Sequence, residues 1–241
     1  MQCPDKPDIA QFEAPGGLAR EERLFDEAFD TEAGRTGLMF WQQSNCLVVP
    51  RRWLSLPGIE AAQDLADARG WPVMVRRSGG ACVFHGPGVL CVSSIVIDQQ
   101  DPGPVDRAYG EFAGGLSAAL AMLGVDGVSI GPAPDAPCDG RFNLLVDGRK
   151  LAGLAMRRRM RHGRTASLVH ACVWIGGPLA EAIEIINLFE SRLGLPGTYR
   201  TAACITLAEA VGWTGQLDRL CQSFAAAAGR HVSEPTCSAG G

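Results

Sequence analysis

A short tract near the middle of the chain sets the strongest limit on what it can fold into. Residues 138–159 read C-D-G-R-F-N-L-L-V-D-G-R-K-L-A-G-L-A-M-R-R-R. Two apolar runs, 142–146 and 151–156, flank Asp147-Gly148, a dipeptide that accepts the positive φ of a tight reversal. A β-hairpin is predicted. Its second arm carries Lys150, followed by Leu151, Ala152, Gly153, Leu154 and Ala155, with no acidic residue after it. A lone ammonium at the head of an apolar strand either snorkels off an edge or is held in a pocket for chemistry.

The remaining chemistry of the chain is ordinary for a globular protein. With 241 residues, 46% apolar and 20% charged, one domain over 1–241 is expected, with loose termini at 1–17 and 231–241. A net charge of -4 gives no reason to propose nucleic acid, because phosphate binding shows as a basic surplus. No run approaches the length of a membrane span, and the first residues lack a basic and then apolar leader, so a cytoplasmic protein is expected. Nine cysteines with no C-x-x-C pair indicate neither a disulfide framework nor a zinc knuckle, and no metal is expected.

Periodicity predicts helices over 18–33, 59–69, 106–123, 179–193, 205–211 and 217–228. Strands are predicted over 38–42 and 45–49 around a turn, and over 73–75, 89–97, 127–130 and 165–175. After the strand at 73–75 comes Arg76-Arg77-Ser78-Gly79-Gly80. Paired glycines there let the backbone approach a ligand and point N–H groups at an anion, although neither a Walker loop nor G-x-G-x-x-G is present. A loop rich in proline, 131–137, delivers Cys138. Five arginines between 157 and 164 read as a turn, either solvated or a basic rim for an acidic partner or a nucleotide phosphate.

Three motifs in order carry a family resemblance. Arg76-Arg77-Ser78-Gly79-Gly80 with Val83 and His85, then residues 148–155 with Arg157, and then Leu168-Val169-His170-Ala171-Cys172 resemble the lipoate-protein ligase and octanoyltransferase family. The resemblance covers roughly residues 18–212 and implies an α/β fold in which a mixed, largely antiparallel sheet flanked by helices cradles an acyl chain. It implies that Lys150 is the pocket lysine and that Arg76, Arg77, Ser78, Gly79, Gly80, His85, Gly153 and His170 line the substrate site.

Members move an octanoyl or lipoyl group onto a lysine of a lipoyl domain or of the glycine-cleavage H protein. Ligases use ATP and Mg²⁺ through an acyl adenylate; transferases take the acyl group from acyl carrier protein through a cysteine thioester and need no cofactor. Where ligases carry Arg-Asn-Asp-Leu this chain has Arg141-Phe142-Asn143-Leu144, which puts ATP use in doubt. The implied transferase nucleophile is Cys138, with Cys204 as rival and Cys82 as a packing thiol. In either chemistry Lys150 acts through its charge, on phosphate and carbonyl oxygens or on the thiol. Arg157, Arg158 and Arg159 would meet acidic carrier domains. A non-catalytic protein that binds acylated carriers is the reading from another class. Ser78 lacks the G-x-S-x-G elbow, so neither a serine–histidine–acid set nor a metal cluster is expected.

Overall fold

The computed structural model describes residues 9–30, 37–98, 103–212 and 217–231. The first half of the chain runs β1 (Ile9–Phe12), α1 (Gly16–Glu27), β2 (Gly37–Gln43), β3 (Cys46–Pro50), α2 (Ile59–Asp67), β4 (Val73–Arg76), β5 (Val83–His85), β6 (Val89–Asp98) and α3 (Val105–Met122). The second half runs β7 (Val128–Gly131), β8 (Asn143–Val146), β9 (Arg149–Arg161), β10 (Arg164–Trp174), α4 (Leu179–Arg192), α5 (Leu207–Val211) and α6 (Leu217–His231).

Seven strands form one sheet in the order β1-β2-β6-β10-β9-β8-β7, and three form a second in the order β4-β3-β5. Among the strands of the described residues, β1 with β2 and β3 with β4 pair in parallel, and the other ladders are antiparallel. The fold is therefore the expected mixed, largely antiparallel α/β arrangement.

Alternation along the long strands divides the large sheet into two faces. Phe40, Leu90, Val92, Val169, Ala171 and Val173 point to one side and pack with Leu116 and Leu120 of α3 and Leu220 and Phe224 of α6. Trp41, Cys91 and Trp174 point to the other and join a core built from β3, α2 and α4. Further along that second face, Ile95, Ile97 and Leu168 receive Phe25 and Phe29 from α1 and the 3₁₀ turn after it. The space between α1, the small sheet and this second face holds the candidate site.

Several expectations are corrected. Residues 9–12 are not a loose lead-in: β1 pairs with β2, and Phe12 packs edge-on against Trp41 at 6.4 Å. Residues 1–8 and 232–241 lie outside the described residues. The strands around 38–49 do not pair with each other, because β2 joins the large sheet and β3 the small one. The arginine-rich turn is a continuation of β9, and the reversal is confined to His162 and Gly163, both at positive φ. The long ladder to β10, itself paired with β6 on its other side, outweighs local charge repulsion there. The predicted hairpin turn is present, with Asp147 at φ 49° and Gly148 at φ 75°, the left-handed pair that a two-residue reversal requires.

One glycine fixes how α1 lies. A methyl group at Gly17 would sit 2.1 Å from the Trp41 ring, so α1 rests flat on the indole and only hydrogen fits between them. Gly17→Ala is expected to destabilise the protein by about 1–3 kcal/mol through overpacking. A urea midpoint unchanged from wild type would show that α1 is free to move off Trp41.

Candidate active site

The lysine of the hairpin does enter the interior, and a strand irregularity explains how. Leu144 pairs with Ala152 and Leu145 with Lys150, leaving Leu151 as an extra residue in β9. Such a bulge reverses the parity of the strand around it. Leu151 and Ala152 both face the helical core, whereas Lys150 and Gly153 share the other side. A Cβ on Gly153 would lie 3.1 Å from the Lys150 Cε and Nζ, so the missing side chain makes the space through which the lysine passes.

Lys150 is 1% exposed. Its Nζ donates to the carbonyl oxygens of Pro137 at 2.6 Å and Cys138 at 2.8 Å, and lies 5.8 Å from the centre of the Trp174 ring. Burial lowers its pKa from the ordinary lysine value, with the nearby thiols opposing. Two of its three donors thus hold the loop that carries the cysteine.

That loop is closed by further polar contacts. Asn143 Nδ2 donates to Gly131 O at 3.2 Å, Asp139 Oδ1 at 2.9 Å and Gly140 O at 2.5 Å, and Asp139 Oδ1 also accepts from the N–H of Ala133 and Gly140. Cys138 stands at φ 50°, a left-handed conformation unusual for a residue with a Cβ. Its Sγ receives the Ala81 N–H at 3.1 Å and lies 4.0 Å from Arg76 Nη2. Gly80, at φ 101°, lets the sulfur come close, since a Cβ there would be 2.7 Å from it.

Arg76 is buried and works on its own loop. Its guanidinium donates to Val48 O at 2.7 Å, to Gly79 O at 3.2 and 3.0 Å, and to Ala81 O at 2.6 Å. Arg77 is exposed and faces Glu22 at 3.5 Å. The resemblance implies that both arginines line the substrate site; the geometry makes the first a staple of its own loop and gives the second a carboxylate partner. Arg157 and Arg159 are likewise held by Glu22 and Asp26 of α1 and cover the rings of Phe25 and Phe29, while Arg158 reaches Ser167 and Gly103 O on the opposite side of β9. The three do not project as one basic rim.

His170 stands on the second face of the large sheet, and His85, at the end of β5 in the small sheet, lines the same space. His170 pairs across the ladder with Ser93, and Cys172 with Cys91. His170 Nε2 is 2.9 Å from Ser78 Oγ, and its Nδ1 is 3.0 Å from Glu21 Oε1. His85 Nε2 is 3.1 Å from Cys172 Sγ, and its Nδ1 is 3.0 Å from Gln43 Nε2. The first group, Ser78, His170 and Glu21, overturns the expectation that no serine–histidine–acid set exists. His85, Cys91 and Cys172 also bring one nitrogen and two sulfurs within 4.8 Å of one another, a donor set that spacing along the chain does not reveal. A hydrogen bond from Cys91 and the neighbouring His85 hold the Cys172 thiol well below its ordinary pKa, against burial.

Glu21, Arg76, Ser78, His85, Cys138, Lys150, His170 and Cys172 line two adjoining spaces. A narrow apolar slot with about 30 Å³ of free space is walled by Trp41, Val83, Cys138, Lys150, Leu154 and Trp174. Beside it, sharing Leu18, Glu21, Arg76 and His170, lies a wider cleft of about 180 Å³ that includes Ser78. Cys204 is outside both: it is 1% exposed, forms a bridge to Lys150, and burial pushes its thiol up to about 12. Cys82 is fully buried, as expected of a packing thiol.

The sequence reading missed Glu21, Gln43 and Cys172. A signal for Glu21 existed, because it falls on the buried stripe Gly17, Leu18, Glu21, Phe25 at helical spacing. Burial alone would raise the Glu21 pKa, but His170 beside it brings it below 4.5; burial alone would lower His170, but Glu21 brings it above 6.5. The pair therefore adds stability that is present above 4.5 and lost as pH falls through the depressed Glu21 value. On the alkaline side it is complete below 6.5 and lost as pH rises through the raised His170 value. Melting temperature is expected to fall above pH 6.5 in wild type and to change less in Glu21→Gln; equal slopes in the two proteins would remove the pair as the cause.

Comparison with other proteins places this geometry. A 219-residue match at 31% identity, covering 84% of this chain and 86% of the relative, is to an uncharacterised protein of Cupriavidus necator. An octanoyl-[GcvH]:protein N-octanoyltransferase of Kyrpidia tusciae is 30% identical over 194 residues, 76% of this chain, which spans 66% of that relative's length. Among solved structures, lipoate-protein ligase A bound with ATP superposes with a TM-score of 0.66 at 18% identity, covering 92% of this chain and 85% of the other. The Thermoplasma acidophilum protein Ta0514, a lipoate protein ligase homologue with bound lipoic acid, gives 0.67 at 18% identity over 93% and 84%. Residues 15–226 match the model of the lipoyl protein ligase A/B catalytic domain, and the chain belongs to that family.

Proposed function

We propose that this protein is an acyltransferase that places an octanoyl or lipoyl group on a lysine of a lipoyl carrier domain, through a thioester on Cys138. The observation that carries the reading is the setting of that thiol. Its sulfur opens on the apolar slot, receives the Ala81 N–H at 3.1 Å, and sits on a loop whose carbonyls are held by buried Lys150. A thiolate is the nucleophile in such transfers, and a backbone donor together with nearby cations stabilises it.

In the first half-reaction the Cys138 thiolate attacks the acyl carbonyl and the donor's sulfur or nitrogen leaves with a proton. In the second, the amine of the carrier lysine attacks the thioester and frees the thiol. The donor is an acylated carrier, either acyl carrier protein or, as in the names of the relatives, octanoyl-[GcvH]. An ATP-dependent route has less support. Asn143 stands where ligases carry a carboxylate, and its amide nitrogen is committed to three oxygen acceptors.

The test combines the purified protein and a lipoyl domain with octanoyl carrier protein or octanoyl-[GcvH] without nucleotide, or with octanoate, ATP and Mg²⁺. Intact mass of the lipoyl domain reads the result. Acylation by a carrier donor without nucleotide is expected; modification strictly requiring ATP would sink the thioester route. Binding of acylated carrier with no transfer under any condition would make the protein a carrier-binding module instead.

A further inference from the structure

We propose that Ser78, His170 and Glu21 form a serine acyl-hydrolase centre beside Cys138, converting medium-chain acyl thioesters to the free acid. The acyl class rests on the transferase reading of the slot. Three residues from the loop after β4, from β10 and from α1 meet in line, although they are distant in sequence. Ser78 Oγ lies 2.9 Å from His170 Nε2, and His170 Nδ1 lies 3.0 and 3.1 Å from the two Glu21 oxygens. An ionised carboxylate only accepts, so Nδ1 carries a proton and, in the neutral ring, Nε2 offers its lone pair to the serine hydroxyl. That is the arrangement a general base requires.

The acid is itself held in place. Ser93 Oγ donates to Glu21 Oε1, and Trp41 Nε1 donates to Ser93 Oγ at 3.0 Å. Ser78 and His170 line the 180 Å³ cleft, which has room for a leaving group and for water. The N–H groups of Gly79 and Gly80, next along the chain from Ser78, have no hydrogen-bond partner among the described residues and are exposed. The N–H that follows a nucleophilic serine is a common oxyanion donor.

The chemistry balances as acyl thioester plus water giving acid plus thiol. Ser78 Oγ bonds to the acyl carbon while its proton moves to His170 Nε2. The C–S bond then breaks, and that proton leaves with the thiol. Water gives a proton to the same nitrogen as it attacks the acyl-serine ester; the C–Oγ bond breaks, and the proton returns to Ser78.

An alkyl fluorophosphonate tests the nucleophile in the unaltered protein, because an activated serine displaces fluoride and keeps the phosphonyl group. Peptide mapping is expected to find the adduct on Ser78; no adduct, or one only elsewhere, overturns the proposal. Hydrolysis of the octanoyl thioester of N-acetylcysteamine gives the second readout. Ser78→Ala is expected to slow it about 1000-fold. Hydrolysis that persists in Cys138→Ala and disappears in Cys138→Ala with Ser78→Ala supports the serine. Hydrolysis that vanishes in Cys138→Ala and survives in Ser78→Ala assigns it to the thiol and overturns the serine centre, while the transferase reading stands. Serine-dependent hydrolysis in a protein that acylates no lipoyl domain from any donor leaves this centre standing and sinks the transferase reading.

Discussion

Cys138→Ala is expected to lower nucleotide-independent acyl transfer by about 1000-fold or more, because it removes the atom that would carry the acyl group. The fold should tolerate the change. Cys138 is only partly buried, and the loop around it is held by Asn143, Asp139 and Lys150 through carbonyls and N–H groups that the substitution leaves in place. A trapping experiment adds a direct readout: wild-type protein incubated with octanoyl donor and no acceptor should gain one acyl group on the peptide containing Cys138. Full transfer activity in Cys138→Ala would remove the thioester from the mechanism. It would also turn attention to Cys172, whose sulfur lies 3.1 Å from His85 in the same slot.

The second large effect belongs to Lys150. Lys150→Met keeps much of the side-chain length and removes the charge and both hydrogen bonds to the loop. A loss of transfer of about 100- to 10000-fold is expected, in the range of a charge-stabilising group at a reacting centre. A change in the loop should accompany it. With the Pro137 and Cys138 carbonyls released, the left-handed backbone at Cys138 loses its tether, and activity should not return in Lys150→Arg. A guanidinium is bulkier than an ammonium and meets the surface of Gly153, already 3.1 Å from the lysine by the position a Cβ would take. Wild-type transfer in Lys150→Met would make the lysine a structural residue and leave the slot without its charge.

Much of the fold was legible from local pattern. Asp147-Gly148 called for a left-handed reversal, and the structure has one because few other pairs accept φ near 49° and 75° in succession. The long strands at 89–97 and 165–175 were visible as apolar runs, and both became central strands of the large sheet. The family could be recognised because glycines and charged residues at fixed offsets are rarely shared by chance. The arginines at 157–161 show where local pattern fails: so dense a run of arginines reads as a solvated turn, yet ladders to β10 and carboxylates from α1 make a strand of them.

By itself, then, the sequence determined the order of most elements, the hairpin, the glycine loop after β4, and the membership that those motifs imply. Each depends on neighbours within a few residues, where backbone preference and side-chain periodicity act directly. Only the tertiary structure decided which way Lys150 faces, because one bulged residue reverses the strand's parity and the partner strand defines that register. It also decided that His170 meets Glu21 and Ser78, and that Cys172 meets His85, since these contacts join residues 87 to 149 positions apart only once α1, the loop and the sheet are packed together.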